Sequence, residues 1–226
     1  MVGFLLCATI LVITIMEKFL LGGWVTLAVT GSVILLAFVI RKHYETVTGK
    51  LGGLYQTLTS IPKISDAPVV NPDPAEPTAA ILVASFGGLG LHTFLTLFRQ
   101  FPNHFKGVVF VSVGVIDSRE FKGEGTVEAL KESVEGNLKK YVEFARGQGF
   151  PATYRMAIGT DAVAEGEKLC LEVAREFPKT TFFAGKILFQ RERWFQNLLH
   201  NETAMAIQKR LQWAGKTVVV VPARVS

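Results

Sequence analysis

The fold is decided by residues 80–92, AILVASFGGLGLH, in which a short apolar run leads into a serine and a glycine-rich turn. An apolar run of this length that ends in glycines predicts a buried strand followed by a tight turn. The residues after the turn begin a segment with apolar positions at helical spacing. The stretch therefore predicts a strand, a turn and a helix, in that order.

The same alternation continues towards the C-terminus. Apolar runs recur at residues 108–113, 152–157, 181–184 and 217–221, with amphipathic segments between them. Strands that alternate with helices indicate crossover connections, which make the strands parallel. We therefore expect five strands and four helices in one doubly wound α/β domain, Rossmann-like or flavodoxin-like, over residues 79–226.

Two of these helices have an apolar stripe that predicts the face turned to the core. Thr160 and Asp161 precede the second of them and are placed to cap its N-terminus. We expect Cys170 to be a core residue. The stripes consist of Val127, Leu130, Val134, Leu138, Tyr141 and Ala145 in one helix, and Leu169, Cys170, Val173, Ala174 and Phe177 in the other.

The first candidate site is the glycine loop after the first strand. Ligands of open parallel sheets bind beyond the carboxyl ends of the strands, near the point where the strand order reverses. Gly87, Gly88 and Gly90, at a helix N-terminus, could hold a phosphate or nucleotide on backbone amides. Gly88 and Gly90 begin a G-x-G-x-x-G pattern, but Thr93 stands at its last position, and Asp117 is a loosely placed ribose partner. The alternative is that the glycines serve only tight turn geometry.

The second candidate site follows the fourth strand. Gly185 and Lys186 are predicted to leave this strand, and Arg191 and Arg193 follow in a basic and aromatic stretch. These cations could meet a phosphate, or a carboxylate on a transmembrane partner. A solvated or docking surface is the alternative. Asn201 is placed to cap the final helix.

The first forty residues consist of two apolar runs, residues 2–16 and 20–40, with Glu17-Lys18 and a Gly22-Gly23-Trp24 turn between them. The longer run covers the hydrocarbon core of a bilayer, and the shorter one alone fits a span, a buried core helix or a signal-peptide core. We predict a transmembrane hairpin over residues 1–43. The basic residues that follow at positions 41–43 place the C-terminal side in the cytoplasm, so the predicted location is the inner membrane.

Residues 44–78 are predicted to be a juxtamembrane segment and a linker, because five of the nine prolines occur between residues 60 and 78. The formal charge of +5 is mild and partly juxtamembrane, which disfavours nucleic-acid binding. Two cysteines and four histidines share no metal-ligand spacing, so no metal site is predicted. No motif for nucleophilic catalysis is present, and we expect neither an enzyme nor a resident cofactor.

Several sequence strings resemble known families. EKFLLGGWVTL (residues 17–27), a second span and RKHY (41–44) resemble the last two helices of bacterial permeases of the amino acid-polyamine-organocation superfamily. FKGVVFVSVGVIDS (105–118), GKILFQRERW (185–194) and LLHNETAMAIQ (198–208) are similar to the universal-stress-protein-like domain that some of these permeases carry. The resemblance implies the C-terminal part of a transporter for amino acids or related small cations, with a regulatory cytosolic domain.

The chain departs from this family pattern in two respects. Most of the permease's spans, including the helices that bind substrate, are not in these residues, so we expect upstream transmembrane helices or another membrane subunit as partners. The ATP signature after the fourth strand is also broken at Leu188 and near Leu198-Leu199, which disfavours ATP. The alternatives are a membrane-anchored sensor with a nucleotide regulator at the glycine loop, and a tethered enzyme. The lipid bilayer and a second copy of the chain complete the expected partners.

Overall fold

The computed structural model describes residues 2–18, 24–59, 70–116, 124–189 and 202–225. The chain divides into two compact units, Met1–Gly49 and Lys50–Ser226. Some predicted positions lie outside the described residues. They are Asp117, Arg191, Arg193 and Asn201, together with residues 60–69 of the predicted linker.

Two helices occupy the N-terminal part of the chain, α1 (Val2–Lys18) and α2 (Trp24–Thr59). Among the described residues, one helical segment is long and apolar enough to cross a bilayer, Trp24–Lys42 in α2. The structure thus supports one candidate span and not the two that were predicted. The described part of α1 has 17 residues, at the lower end of the range for a transmembrane helix. A signal sequence near an N-terminus shares the length and composition of Trp24–Lys42.

The apolar segment of α2 carries three hydroxyl side chains, those of Thr26, Thr30 and Ser32. Side chains are exposed on all sides from Trp24 to Val39. The hydroxyl of Ser32 donates to the carbonyl oxygen of Ala28 at 2.7 Å. A helix that is apolar all round needs a non-aqueous environment, so these residues fit lipid or other apolar helices.

The second unit is built on a five-stranded parallel sheet in the order β3-β2-β1-β4-β5. The predicted doubly wound α/β class with five parallel strands is confirmed. Runs of valine, isoleucine and phenylalanine form the central strands, as expected for a sheet covered on both faces. The strands are β1 (Thr78–Leu82), β2 (Gly107–Val115), β3 (Ala152–Gly159), β4 (Thr180–Phe189) and β5 (Val218–Val225).

Four described helices follow β1, and they cover the two faces of the sheet in pairs. α3 (Gly88–Gln100) and α4 (Glu124–Gly147) pack on one face, where Phe94, Tyr141 and Phe110 belong to one core cluster. α5 (Ala162–Glu176) and α6 (Glu202–Trp213) pack on the other face. The crossover from β3 to β4 changes face, so the strand order reverses between β1 and β4. This is the point at which ligands bind in such sheets.

Gly185 and Lys186 lie inside β4, and the prediction that they leave the strand is wrong. β5 pairs with this part of β4, with Lys186 beside Pro222 and Phe189 beside Val225, and this pairing prolongs the strand. Pro222 is tolerated because β5 is at the edge of the sheet, where a missing N–H leaves no neighbouring strand unpaired.

The predicted cap of α5 is confirmed. A carboxylate oxygen of Asp161 accepts hydrogen bonds from the backbone N–H groups of Val163 at 2.8 Å and Ala164 at 3.1 Å. These bonds lower the pKa of Asp161, because they favour the charged form. The cap sets the start of α5 beside the carboxyl ends of the strands.

Candidate functional site

A crevice lies beyond the end of β1, at the reversal of strand order. β1 ends at Leu82, whereas its neighbours continue, β2 to Val115 and β4 to Phe189. The space contains a cavity of about 350 Å³. It is lined by the loop after β1, by β2 and β4, and by α5 and α6, through Leu82, Val83, Ala84, Leu89, Val111, Ser112, Val113, Val115, Ala162, Gly166, Ala184, Gly185, Thr203, Ala204 and Ile207.

The walls of this crevice cavity are apolar. Among the described lining residues, none has a charged side chain, and Ser112 and Thr203 supply the only polar side chains. The Ser112 hydroxyl is buried and donates to the carbonyl oxygen of Ala84 at 3.2 Å. Thr203 is exposed at the rim. The cavity is therefore suited to an uncharged, flat or apolar group with a few hydrogen-bonding atoms.

A buried tyrosine occupies part of the predicted anion cradle. The hydroxyl oxygen of Tyr141 accepts a hydrogen bond from the backbone N–H of Gly87 at 3.1 Å, and the hydroxyl donates to the carbonyl oxygen of Ser85 at 2.9 Å. Its ring stacks on Phe110 at a centroid distance of 5.0 Å and meets Phe86 edge to face at 4.7 Å. The amide of Gly87 thus already has a partner.

Burial raises the pKa of Tyr141 to about 12, and the bond from the Gly87 amide opposes this in part. The phenol is therefore protonated at neutral pH and remains a donor to the loop. The sequence pattern predicted Tyr141 as a core residue only. A tyrosine on an otherwise apolar stripe could have indicated its second role, because a buried phenol hydroxyl needs a hydrogen-bond partner.

Close packing accounts for two of the predicted glycines. A Cβ atom at Gly90 would lie 2.6 Å from the Cζ atom of Tyr141, and one at Gly185 would lie 2.6 Å from the Oγ1 atom of Thr93. Both distances are shorter than real contacts of Cβ atoms. Gly90 therefore admits the tyrosine, and Gly185 lets α3 approach β4. Neither glycine adopts the left-handed backbone conformation.

Three backbone amides remain at the start of α3. Gly87 is the N-cap residue and provides no side-chain cap, so within the described part of the chain the N–H groups of Gly88, Leu89 and Gly90 are the unpaired donors of the first turn. Leu89 also lines the crevice cavity. A single anionic group at the mouth of the cavity would meet these amides and the positive end of the helix dipole.

The predicted site residues are thus only partly brought together. Gly87, Gly88 and Gly90 form the loop and first turn beside the cavity, and Gly185 lines it from β4. Lys186 is not among the lining residues. The loop that carries Asp117 lies outside the described residues. Ser112 and Thr203 were not predicted, since they lack any motif and reach the cavity only through the folding of β2 and α6.

Comparison with solved structures returns universal stress proteins at low sequence identity. No family model matches the chain, and no curated protein does. A universal stress family protein from Burkholderia pseudomallei is 17% identical, with a TM-score of 0.44, over 64% of this chain and 96% of that one. One from Archaeoglobus fulgidus is 11% identical, with a TM-score of 0.44, over 65% and 93%.

A universal stress protein from Lactobacillus plantarum is 14% identical, with a TM-score of 0.39, and the match covers 65% of this chain and 99% of that one. None of these comparisons links the chain to a permease. The strand order and the two covered faces of the sheet define the α/β fold.

Proposed function

We propose that the α/β domain is a regulatory module that binds a nucleoside or nucleoside monophosphate in the crevice cavity, and that α2 holds it at a membrane. The observation that carries this proposal is the cavity itself, which lies where β1 stops short between β2 and β4. This is the position at which parallel α/β sheets bind ligands.

Size and lining indicate the class of ligand. A cavity of about 350 Å³ is near the lower end of ligand pockets, which span roughly 300–1,000 Å³. Val83, Leu89 and Val113 offer apolar contacts to a flat ring, and the Ser112 hydroxyl offers hydrogen bonding. The amides at the start of α3 can hold one phosphate. No charged side chain among the described lining residues could neutralise the negative charge of further phosphates. A monophosphate is therefore favoured over a triphosphate.

Regulation, not catalysis, fits the chemistry of this cavity. A general acid or base needs a titratable group near the reacting atoms. The polar side chains of the described lining are two hydroxyls, and that of Ser112 is engaged with a backbone carbonyl. Binding would instead order the loop after β1 and the first turns of α5 and α6, which could signal occupancy.

The membrane protein that this module regulates is, we propose, a transporter for amino acids or related small cations. Two features support this proposal. EKFLLGGWVTL and RKHY resemble the end of amino acid-polyamine-organocation permeases, and the apolar segment Trp24–Lys42 leaves its whole surface open to lipid or to other helices. The upstream transmembrane helices, or another membrane subunit, would then complete the transport path, with the α/β domain in the cytoplasm.

Ligand binding is tested with the full chain in nanodiscs of neutral lipid, by titration calorimetry with adenosine, guanosine and their mono- and triphosphates. Thr203→Trp should block the cavity from its exposed rim and weaken binding roughly tenfold or more. Met205→Trp is the matched control, because Met205 is also exposed on α6 but does not line the cavity. No saturable binding, or equal loss in both variants, would contradict the proposal.

The transport proposal is tested separately, by translating the gene region upstream of codon 1 in frame. Continuation into further apolar spans, one of them interrupted by glycines, would support a transporter. A stop codon directly ahead of Met1 would remove the proposal of transport by this polypeptide. The ligand-binding proposal would be unaffected by that result.

A further inference from the structure

A second cavity lies between α3 and the edge strand β5. Its volume is about 360 Å³. Its described lining is polar apart from one proline and consists of His92, Thr96, Arg99, Gln100, Pro222 and Arg224. This α3–β5 pocket shares no lining residue with the crevice cavity.

The pocket is positively charged and uncompensated. Arg99 comes from α3 and Arg224 from β5, and no carboxylate is among the lining residues that the structure describes. Neither arginine forms an ion pair with any described residue, in contrast to Arg155 and Arg210, which pair with Glu176 and Glu167. Two elements of the fold therefore bring cations to one concavity, and none of its described lining residues is an anion.

His92 responds to this environment. Its Nδ1 atom is buried and has no hydrogen-bond partner among the described residues. Burial, and secondarily the guanidinium of Arg99, lower the pKa of His92 below its usual value. The ring is thus predominantly neutral at pH 7. A bound anion would oppose the effect of Arg99 and raise this pKa.

We propose that the α3–β5 pocket binds a phosphate-type oxyanion. An arginine guanidinium presents paired N–H donors that match a phosphate, and the hydroxyl of Thr96 and the amide of Gln100 add donors along the same helix face. The phosphate has two sources, a free or metabolite phosphate and the headgroup of an anionic phospholipid. The site is independent of the ligand proposed for the crevice cavity.

Inorganic phosphate is the first probe, titrated into the full chain in phosphatidylcholine nanodiscs. We expect saturable binding and a rise in the pKa of His92, followed by NMR of its ring. Arg99→Gln and Arg224→Gln should each weaken binding roughly tenfold, because each removes a charge-assisted hydrogen bond. Arg175→Gln is the matched control, since Arg175 is exposed in the last turn of α5 and outside the pocket.

Nanodiscs of mixed phosphatidylcholine and phosphatidylglycerol, without added phosphate, distinguish the second source. The site would be assigned to a lipid headgroup if the pKa of His92 rises in these discs and does not rise with inorganic phosphate. This rise should be lost in Arg99→Gln and retained in Arg175→Gln. No change with either probe, or equal loss in all three variants, would overturn the proposal. Thr203→Trp should leave phosphate binding intact, so failure here is distinct from failure of the crevice ligand.

Discussion

At the scale of single residues, Tyr141 fixes the shape of the glycine loop. Its hydroxyl bonds to the amide of Gly87 and to the carbonyl of Ser85, which are more than fifty positions away in sequence. The loop is therefore held by a side chain of α4. This arrangement leaves the amides of the first turn of α3 for a ligand.

The first prediction concerns the loss of this hydroxyl. Tyr141→Phe leaves a partly buried N–H and carbonyl without their partner, so the free energy of unfolding should fall by about 1–3 kcal/mol. Urea titration of the full chain in detergent measures the change. Tyr154→Phe is the control, because its hydroxyl donates to Glu135 in a more open setting at 2.9 Å. A loss no larger than that of the control would contradict the role of Tyr141.

The pH dependence of stability gives a second prediction for the same residue. Burial raises the pKa of Tyr141 from 10.0 to about 12. The folded state holds the phenol proton more tightly than the unfolded chain does. The contribution of Tyr141 to the free energy of unfolding is therefore complete below pH 10.0 and is lost as the pH rises through about 12. Wild-type protein should lose more stability than Tyr141→Phe across this window. Parallel profiles of urea midpoints against pH would show the expectation to be wrong.

At the scale of helices and strands, close approach decides which glycines are required. Gly90 in α3 and Gly136 in α4 are both helical, and alanine has the higher helix propensity. A Cβ atom at Gly90 would collide with Tyr141, whereas one at Gly136 would meet nothing within 4 Å. The same substitution should therefore have opposite effects at these two positions.

The third prediction follows from this contrast. Gly90→Ala should lower the free energy of unfolding by about 1–3 kcal/mol through overpacking. Gly136→Ala should raise it by about 0.5–1 kcal/mol through helix propensity. Thermal unfolding of both variants, measured in the same detergent, compares them directly. If Gly90→Ala were also stabilising, the packing of Tyr141 against α3 would not be as described.

At the scale of the whole molecule, the chain joins an apolar helix to a water-compatible α/β domain. The fourth prediction is that the apolar segment Trp24–Lys42 is the membrane anchor and α1 is not. An arginine at the centre of a span costs about 2.5–3.5 kcal/mol on insertion scales. Leu35→Arg should therefore release the chain from membranes in an alkaline extraction, and Leu6→Arg in α1 should not. Equal release by both variants would restore a hairpin of two spans.

The order of the elements could be predicted from the residues alone, because a buried parallel strand and an amphipathic helix each have their own hydrophobic period. The strand ends could not, since β4 is prolonged by pairing with β5, a neighbour that the local pattern does not identify. The same limit explains the error at Gly185 and Lys186. The predicted Asp161 cap was correct because capping depends on residues within one turn.

The sequence by itself determined the parallel α/β class, the apolar N-terminal region and the position of the glycine loop, because each depends on local composition and spacing. Only the tertiary structure decided what surrounds that loop. Three features join residues that are far apart in the chain. The hydroxyl of Tyr141 bonds to the loop, Ser112 and Thr203 line the crevice cavity, and Arg99 and Arg224 line the α3–β5 pocket. Such contacts arise from strand order and helix packing, which bring distant segments together without leaving a local pattern.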